Sequence, residues 1–132
     1  MGRKVVLISK KNKELKQINQ FLSKNNYEYH CLGSIDQIGA ALSNIPTHCI
    51  IFDLDTIDVD NQTIRALTIE YPSIYFLCMS KSRFHPELKD AICYHIYACL
   101  TKPLDYDELL YWLRCIDIEL DSDPSNMNKE SK

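Results

Sequence analysis

At 132 residues, 45% hydrophobic and 25% charged, the chain has the size and make-up of one ordinary globular domain. Its 15 Lys and Arg against 18 Asp and Glu leave a formal net charge of −3, which gives no general reason to bind nucleic acid through phosphates. No apolar run approaches the roughly 20 residues of a membrane helix, and Val5 to Ile8 is far too short for a secretory leader, so a cytoplasmic protein with no membrane and no direct nucleic-acid partner is expected.

The elements follow in a regular order. Val5 to Ile8 is a short apolar run of the kind a buried strand shows. Asn12 is placed to cap a helix to about Lys24, with Leu15, Ile18, Phe21 and Leu22 at helical spacing. Tyr27 to Leu32 alternates and reads as a second strand. Ser34 opens a second helix with Gln37 at the capping-box position, and Asn44-Ile45-Pro46 closes it. Cys49 to Phe52 is the third strand; a polar loop and a helix over Gln62 to Tyr71 follow, stopped by Pro72. Ile74 to Met79 is the fourth strand, after which Pro86 takes a helix N1 position with Leu88, Ala91 and Ile92 on one face. Tyr97 to Leu100 is the fifth strand. Asp105, with Glu108 three residues on, caps a last helix striped by Leu109, Leu113, Ile116 and Leu120. Five strands alternating with five helices predict right-handed crossovers and a parallel sheet covered on both faces. Residues 1–120 form the domain, and 121–132, rich in Ser, Asn, Asp and Lys, read as a disordered tail or the start of a linker.

In such a sheet, ligands bind beyond the carboxyl ends of the strands. The third apolar run ends at Asp53, the fourth at Ser80 and the fifth at Lys102-Pro103. A carboxylate, a hydroxyl and an ammonium would converge there, a place to put or mimic a phosphoryl group. The first strand runs into Ser9-Lys10-Lys11 rather than into acids. A Mg²⁺ site is built from carboxylates, and Asp53 alone does not make one. The six cysteines, Cys31, Cys49, Cys78, Cys93, Cys99 and Cys115, show neither Cys-x-x-Cys nor metal spacing. Unlinked thiols packed as small hydrophobes are therefore expected, rather than a disulfide or zinc framework.

From Lys4 to about Leu120 the chain resembles the receiver domain of bacterial two-component response regulators. The resemblance rests on Asp53, Ser80 and Lys102-Pro103 in that order, and on Leu100-Thr101-Lys102-Pro103-Leu104-Asp105 with Glu108-Leu109 after it. It implies a flavodoxin-like, three-layer (βα)5 fold with a parallel five-stranded sheet of order 2-1-3-4-5. It also implies Asp53 as the phosphoacceptor position, Ser80 and Lys102 in the phosphoryl pocket, and a cis peptide before Pro103.

The departures from the family all point one way. Ser9 and Lys10 stand where the family carries two metal-binding acids. This implies an atypical member with weak or absent Mg²⁺ binding and no other cofactor, in which Asp53 rests paired with Lys102 or Lys10, and a Lys10 ammonium near it would occupy the carboxylate as a permanent substitute for the ion. Asp55, whose backbone carbonyl is all the family uses, is the weak alternative metal ligand beside Asp53. Side chains Asp55, Asp58 and Asp60 are expected as solvated loop acids. Cys99 takes the place of an aromatic switch residue, so a thiol stands where a ring would move; Ile57 and Asn61 replace a loop proline and glycine.

The expected function is a non-enzymatic, receiver-like module of phosphorelay signalling, not switched by Mg²⁺-dependent aspartyl phosphorylation, that acts through a protein partner or as a homodimer. The family commonly pairs through its fourth helix, fifth strand and fifth helix, which makes Tyr94, Tyr97, Tyr106, Tyr111 and Trp112 candidate contacts. A covalently linked output domain is typical of the family, and none is encoded in these residues. Two alternatives stand beside this reading: a phospho-accepting receiver at Asp53 with an unusual metal site, and a thiol redox sensor on the same fold that draws on Cys99.

Overall fold

Side chains alternate across a strand, so a strand that is apolar at every position can be buried only if both faces of its sheet are covered. The computed structural model describes residues 3–82 and 86–122. Strands β1 (Lys4–Ile8), β2 (Glu28–Leu32), β3 (Cys49–Asp53), β4 (Tyr75–Ser80) and β5 (Ile96–Thr101) form one parallel sheet in the expected order 2-1-3-4-5. Between them run α1 (Glu14–Lys24), α2 (Ile38–Asn44), α3 (Asn61–Glu70) and α4 (Lys89–Tyr94), and α5 (Tyr106–Ser122) follows β5.

One face of the sheet presents Val5, Leu7, Cys49, Ile51, Leu77 and Leu100 to Ile18 and Leu22 of α1 and to Leu109, Leu113 and Ile116 of α5. The other presents Val6, Ile8, Ile50, Phe52 and Phe76 to Ile38, Ile64, Leu67 and Ala91 of α2, α3 and α4. Burying each such side chain is worth roughly 1.5–3 kcal/mol, so these two clusters dominate over any single ion pair. The strand order reverses beside β1, between β1 and β3, and a crevice opens there at the strands' carboxyl ends.

Helix starts follow the capping residues with two adjustments. The Asn12 side chain accepts the Glu14 amide at 2.9 Å, and Asp105 accepts the amides of Asp107 and Glu108 at 3.0 and 3.3 Å. The box expected between Ser34 and Gln37 does not form: Ser34 makes no capping bond, a 3₁₀ turn spans Ile35–Gln37, and the Gln37 amide oxygen reaches back to the Gly33 amide at 2.8 Å. A 3₁₀ turn likewise precedes α4, over Pro86–Leu88. The last helix runs through Asp121 and Ser122, two residues beyond the expected domain boundary; the remainder of the tail, 123–132, lies outside the described residues. Arg3 holds this helix end to β1, with ion pairs to Asp117 and Asp121 at 2.8 and 2.7 Å.

Asn61 adopts no left-handed conformation. It opens α3 and bridges to the next helix, its amide donating to the Glu87 carbonyl and accepting the Ala91 amide, both at 2.9 Å. Asn61→Ala is expected to cost about 1–2 kcal/mol in urea unfolding, because two hydrogen bonds vanish and the Ala91 N–H loses its acceptor.

Strand β5 carries one irregularity. Phe76 pairs with Ile96 but Leu77 pairs with Ala98, so Tyr97 is an extra residue, a bulge. Tyr97 and Ala98 therefore both lie against the α1/α5 side, and Cys99 falls on the opposite face beside Cys78.

Candidate functional site

Asp53 is the last residue of the central strand β3 and is fully buried. The chain turns sharply after it, the amides of Thr56 and Ile57 both donating to the Asp53 carbonyl at 3.1 and 3.0 Å. That turn brings Asp55 and Thr56 back over the strand ends. Lys102 lies just past β5, fixed by its amide on the Ser80 carbonyl at 2.8 Å, and the Lys102–Pro103 peptide is cis.

The Lys102 ammonium is the hub of the site. It lies 2.8 Å from Asp53 Oδ1, 3.1 Å from Asp55 Oδ2 and 3.2 Å from Glu14 Oε1, and its side chain is only 4% exposed. The second Asp53 oxygen, Oδ2, is 2.9 Å from the Ser9 hydroxyl, while Oδ1 also accepts the Asp55 amide at 3.2 Å. Both oxygens of the buried carboxylate are thus engaged. Ser9 Oγ also lies 3.2 Å from Thr56 Oγ1, which accepts the Lys10 amide at 3.1 Å. Ser80 donates to Asp55 Oδ1 at 3.3 Å and accepts the Ser82 amide at 3.0 Å, and the Lys81 amide donates to Asp55 Oδ2 at 3.0 Å.

This clustering sets the ionisation of its members. Burial pushes the Asp55 carboxyl up, but the hydrogen bonds from Lys102 and the Lys81 amide, with the Lys102 charge, outweigh it and hold the group below 3.8. Burial pushes Lys102 down, and its bonds to Asp53 and Asp55 and their charges lift it above 10.5.

Two sequence-based expectations are corrected here. Lys10 is exposed and contributes backbone only; the ammonium on Asp53 is that of Lys102. The reason is alternation: past β1 the inward position falls to Ser9, which sends Lys10 out. Asp55 is exposed, as a loop acid is expected to be, but it is also a direct partner of Lys102 and Ser80. Asp60 is likewise engaged, accepting the Thr63 amide at 2.8 Å as the cap of α3. Two members of the site, Glu14 and Thr56, were not anticipated. Glu14 carries a weak signal, an acid in the first helical turn after the Asn12 cap, where the helix start faces the strand ends. Thr56 carries none, because only the turn after Asp53 brings it to Ser9.

The cysteines also depart from expectation. Cys78 and Cys99 are joined as a disulfide between β4 and β5 with their Cα atoms 4.8 Å apart, whereas Cys31, Cys49 and Cys115 are free.

The fold's implied cation is Mg²⁺, which requires near-octahedral oxygen coordination. Three carboxylates gather here, but on an ammonium that takes the central place, and a hydroxyl stands at the end of β1 where an acid would have to stand. No group of three His, Cys, Asp or Glu among the described residues is disposed to hold a metal ion.

No family model matches the chain, and no curated protein matches it. Solved structures do. The signal receiver domain of an HD domain-containing protein from Pseudomonas fluorescens Pf-5 superposes with a TM-score of 0.80 at 23% identity, covering 93% of this chain and all (100%) of that one. A CheY-like response regulator receiver domain protein from Methanospirillum hungatei JF-1 gives 0.78 at 14% identity, over 93% of this chain and 100% of that. Full-length FixJ from B. japonicum gives 0.77 at 14% identity, over 93% of this chain and 60% of that one. At these identities the likeness is one of fold: the chain has the fold of receiver domains.

Proposed function

We propose that the chain is a receiver-type signalling module of the two-component response-regulator kind, atypical in that Ser9 and Lys10 follow β1 where the family carries two metal-binding acids. The observation that carries this reading is Ser9, a hydroxyl at the end of β1, seated on Asp53 Oδ2, while the Lys102 ammonium holds the other Asp53 oxygen together with Asp55 and Glu14. Phosphoryl transfer to an aspartate requires the incoming negative charge to be neutralised and the carboxylate to be free to attack. Here the carboxylate's oxygens are already committed. The module then works through binding, to a protein partner, to a second copy, or beside an output domain, rather than through Mg²⁺-dependent phosphorylation.

The surface formed by α4, β5 and α5 suits such contact. Tyr94 and Tyr111 stand 78% and 59% exposed. Tyr97 and Trp112 are half-buried, in a run of edge-to-face ring contacts from Tyr75 through Tyr97 and Trp112 to Tyr111. Tyr106 turns away from this row and packs on Phe21. Tyr94 and Tyr111 are thus the anchors this face offers, and the half-buried rings beneath Tyr111 stiffen it.

Titration of the labelled protein with Mg²⁺ and then beryllofluoride, followed by amide NMR with Asp53→Asn as control, tests the proposal. The expected result is no saturable shift at Asp53, Ser80 or Lys102 at millimolar Mg²⁺. Saturable shifts abolished by Asp53→Asn would establish the competing reading, a phospho-accepting receiver in which Asp55 or Glu14 supplies the missing ligand.

A further inference from the structure

The bulge at Tyr97 sets Cys99 on the same face of the sheet as Cys78, its register partner on β4. The Cα separation of 4.8 Å lies within the range that disulfides span. The two sulfurs differ in access. Cys78 is 2% exposed, whereas Cys99 is exposed on β5, one of the sheet's two edge strands. A cavity of about 300 Å³ opens onto the pair, lined also by Ser80, Ile92 and Thr101. Ser80 is the hydroxyl that donates to Asp55, and its carbonyl accepts the amide of Lys102, the residue after Thr101. One opening therefore reaches both the sulfurs and the backbone that holds the hub ammonium.

We propose that Cys78–Cys99 is a thiol–disulfide exchange site, opened by a dithiol that enters this cavity, and that its redox state is felt at Ser80 and Lys102. Exchange rates depend on which sulfur an attacking thiolate can reach, and here that is Cys99. The dithiol's thiolate attacks Cys99 Sγ, forming a mixed disulfide, while the Cys78–Cys99 bond breaks and Cys78 leaves with the electron pair and takes up a proton. The reagent's second thiolate then attacks its own bonded sulfur and releases Cys99, which is protonated in turn. The protein gains two electrons and two protons, and the dithiol ends as its cyclic disulfide. Reduction removes the side-chain cross-link between β4 and β5, at a point two residues before Ser80 and three before Lys102. A link that closes and opens by exchange, in a chain whose three other described cysteines are free, is a regulatory element rather than a staple. The inference is independent of the signalling reading above.

The test uses the whole chain in two states, equilibrated with oxidised glutathione or with excess dithiothreitol. Each is denatured, alkylated without further reduction, digested and sequenced by fragmentation mass spectrometry, in parallel with amide NMR. The expected result is a peptide linking Cys78 to Cys99 in the oxidised sample and its loss in the reduced one, with displaced cross-peaks for Ser80, Thr101 and Lys102 between the two. Cys99→Ser, at an exposed position, is expected to abolish both the link and the response to dithiothreitol. The proposal is overturned if Cys78 is alkylated equally in both samples, if it links to any other cysteine, or if the link forms and the Ser80 and Lys102 cross-peaks coincide. The wild-type comparison decides the matter even if the variant does not fold.

Discussion

Lys102→Met is expected to destabilise the fold by about 3–5 kcal/mol, the usual result of breaking a buried ion pair from one side. Methionine keeps the length of the side chain and removes the charge, leaving Asp53 fully buried with no counterion and Asp55 and Glu14 facing it. The companion variant Asp53→Asn in the Lys102→Met background should recover a large part of that loss, because it removes the orphaned charge rather than adding a contact. Urea unfolding of wild type, both single variants and the double variant at pH 7 gives the coupling directly. A loss below about 1 kcal/mol for Lys102→Met would mean that water solvates the site and that the pair acts like a surface one. The pH dependence has a definite sign. Asp55 is held below 3.8, so its contribution is complete above that value and is lost as pH falls through its lowered range. Lys102 is raised above 10.5, so its contribution is complete below that value and is lost only in stronger alkali. Wild type should therefore show a stability plateau across neutral pH. The Lys102→Met variant, with acids that now repel, should instead gain stability on mild acidification.

The second large effect is expected at Phe52. Its ring is fully buried one residue before Asp53 and stacks on Phe76 at 5.6 Å, in the cluster between the sheet and α2, α3 and α4. Phe52→Ala should cost about 3–5 kcal/mol, the transfer of the ring plus the void left in a layer that four strands and three helices hold rigidly. Phe52→Leu, which refills most of that volume, should cost less than half as much. Denaturant unfolding followed by circular dichroism distinguishes the two. Near-equal losses would mean that the layer collapses around the void and that shape, not volume, sets the stability at this position.

The strands were legible because parallel β-strands covered on both faces carry an uninterrupted apolar signal. Val5 to Ile8, Cys49 to Phe52 and Ile74 to Met79 all fall within a residue of their observed positions. Helix starts were legible where a side chain caps alone, as at Asp105, and less so at Ser34, where a 3₁₀ turn displaced the box by one residue. In the site, Asp53, Ser80, Ser9 and Lys102 could be placed because each lies at a strand's carboxyl end. Asp55 and Glu14 could not, since their arrival at Lys102 depends on the turn after β3 and on the direction of α1. The ammonium on Asp53 is narrowed by sequence only to Lys102 or Lys10, for a similar reason: which of the neighbours Ser9 and Lys10 points inward is a matter of phase, and composition does not carry phase. The Cys78–Cys99 pairing was hidden by the bulge, for an unbroken alternation from Ile96 would have put Cys99 on the other face.

That bulge makes the length of β5 a different kind of variable from its residue types. Substituting Tyr97 or Ala98 changes what fills one place. Deleting either would take out the extra residue, so the strand would alternate regularly from Ile96, with Cys99 still opposite Cys78 and Leu100 still in its cluster. The sulfurs and the approach of Lys102 would survive the loss; what would change is the local bend and twist that the bulge gives this edge of the sheet. Lineages of this protein should therefore carry either one or two residues between Ile96 and Cys99, with many residue types at each place.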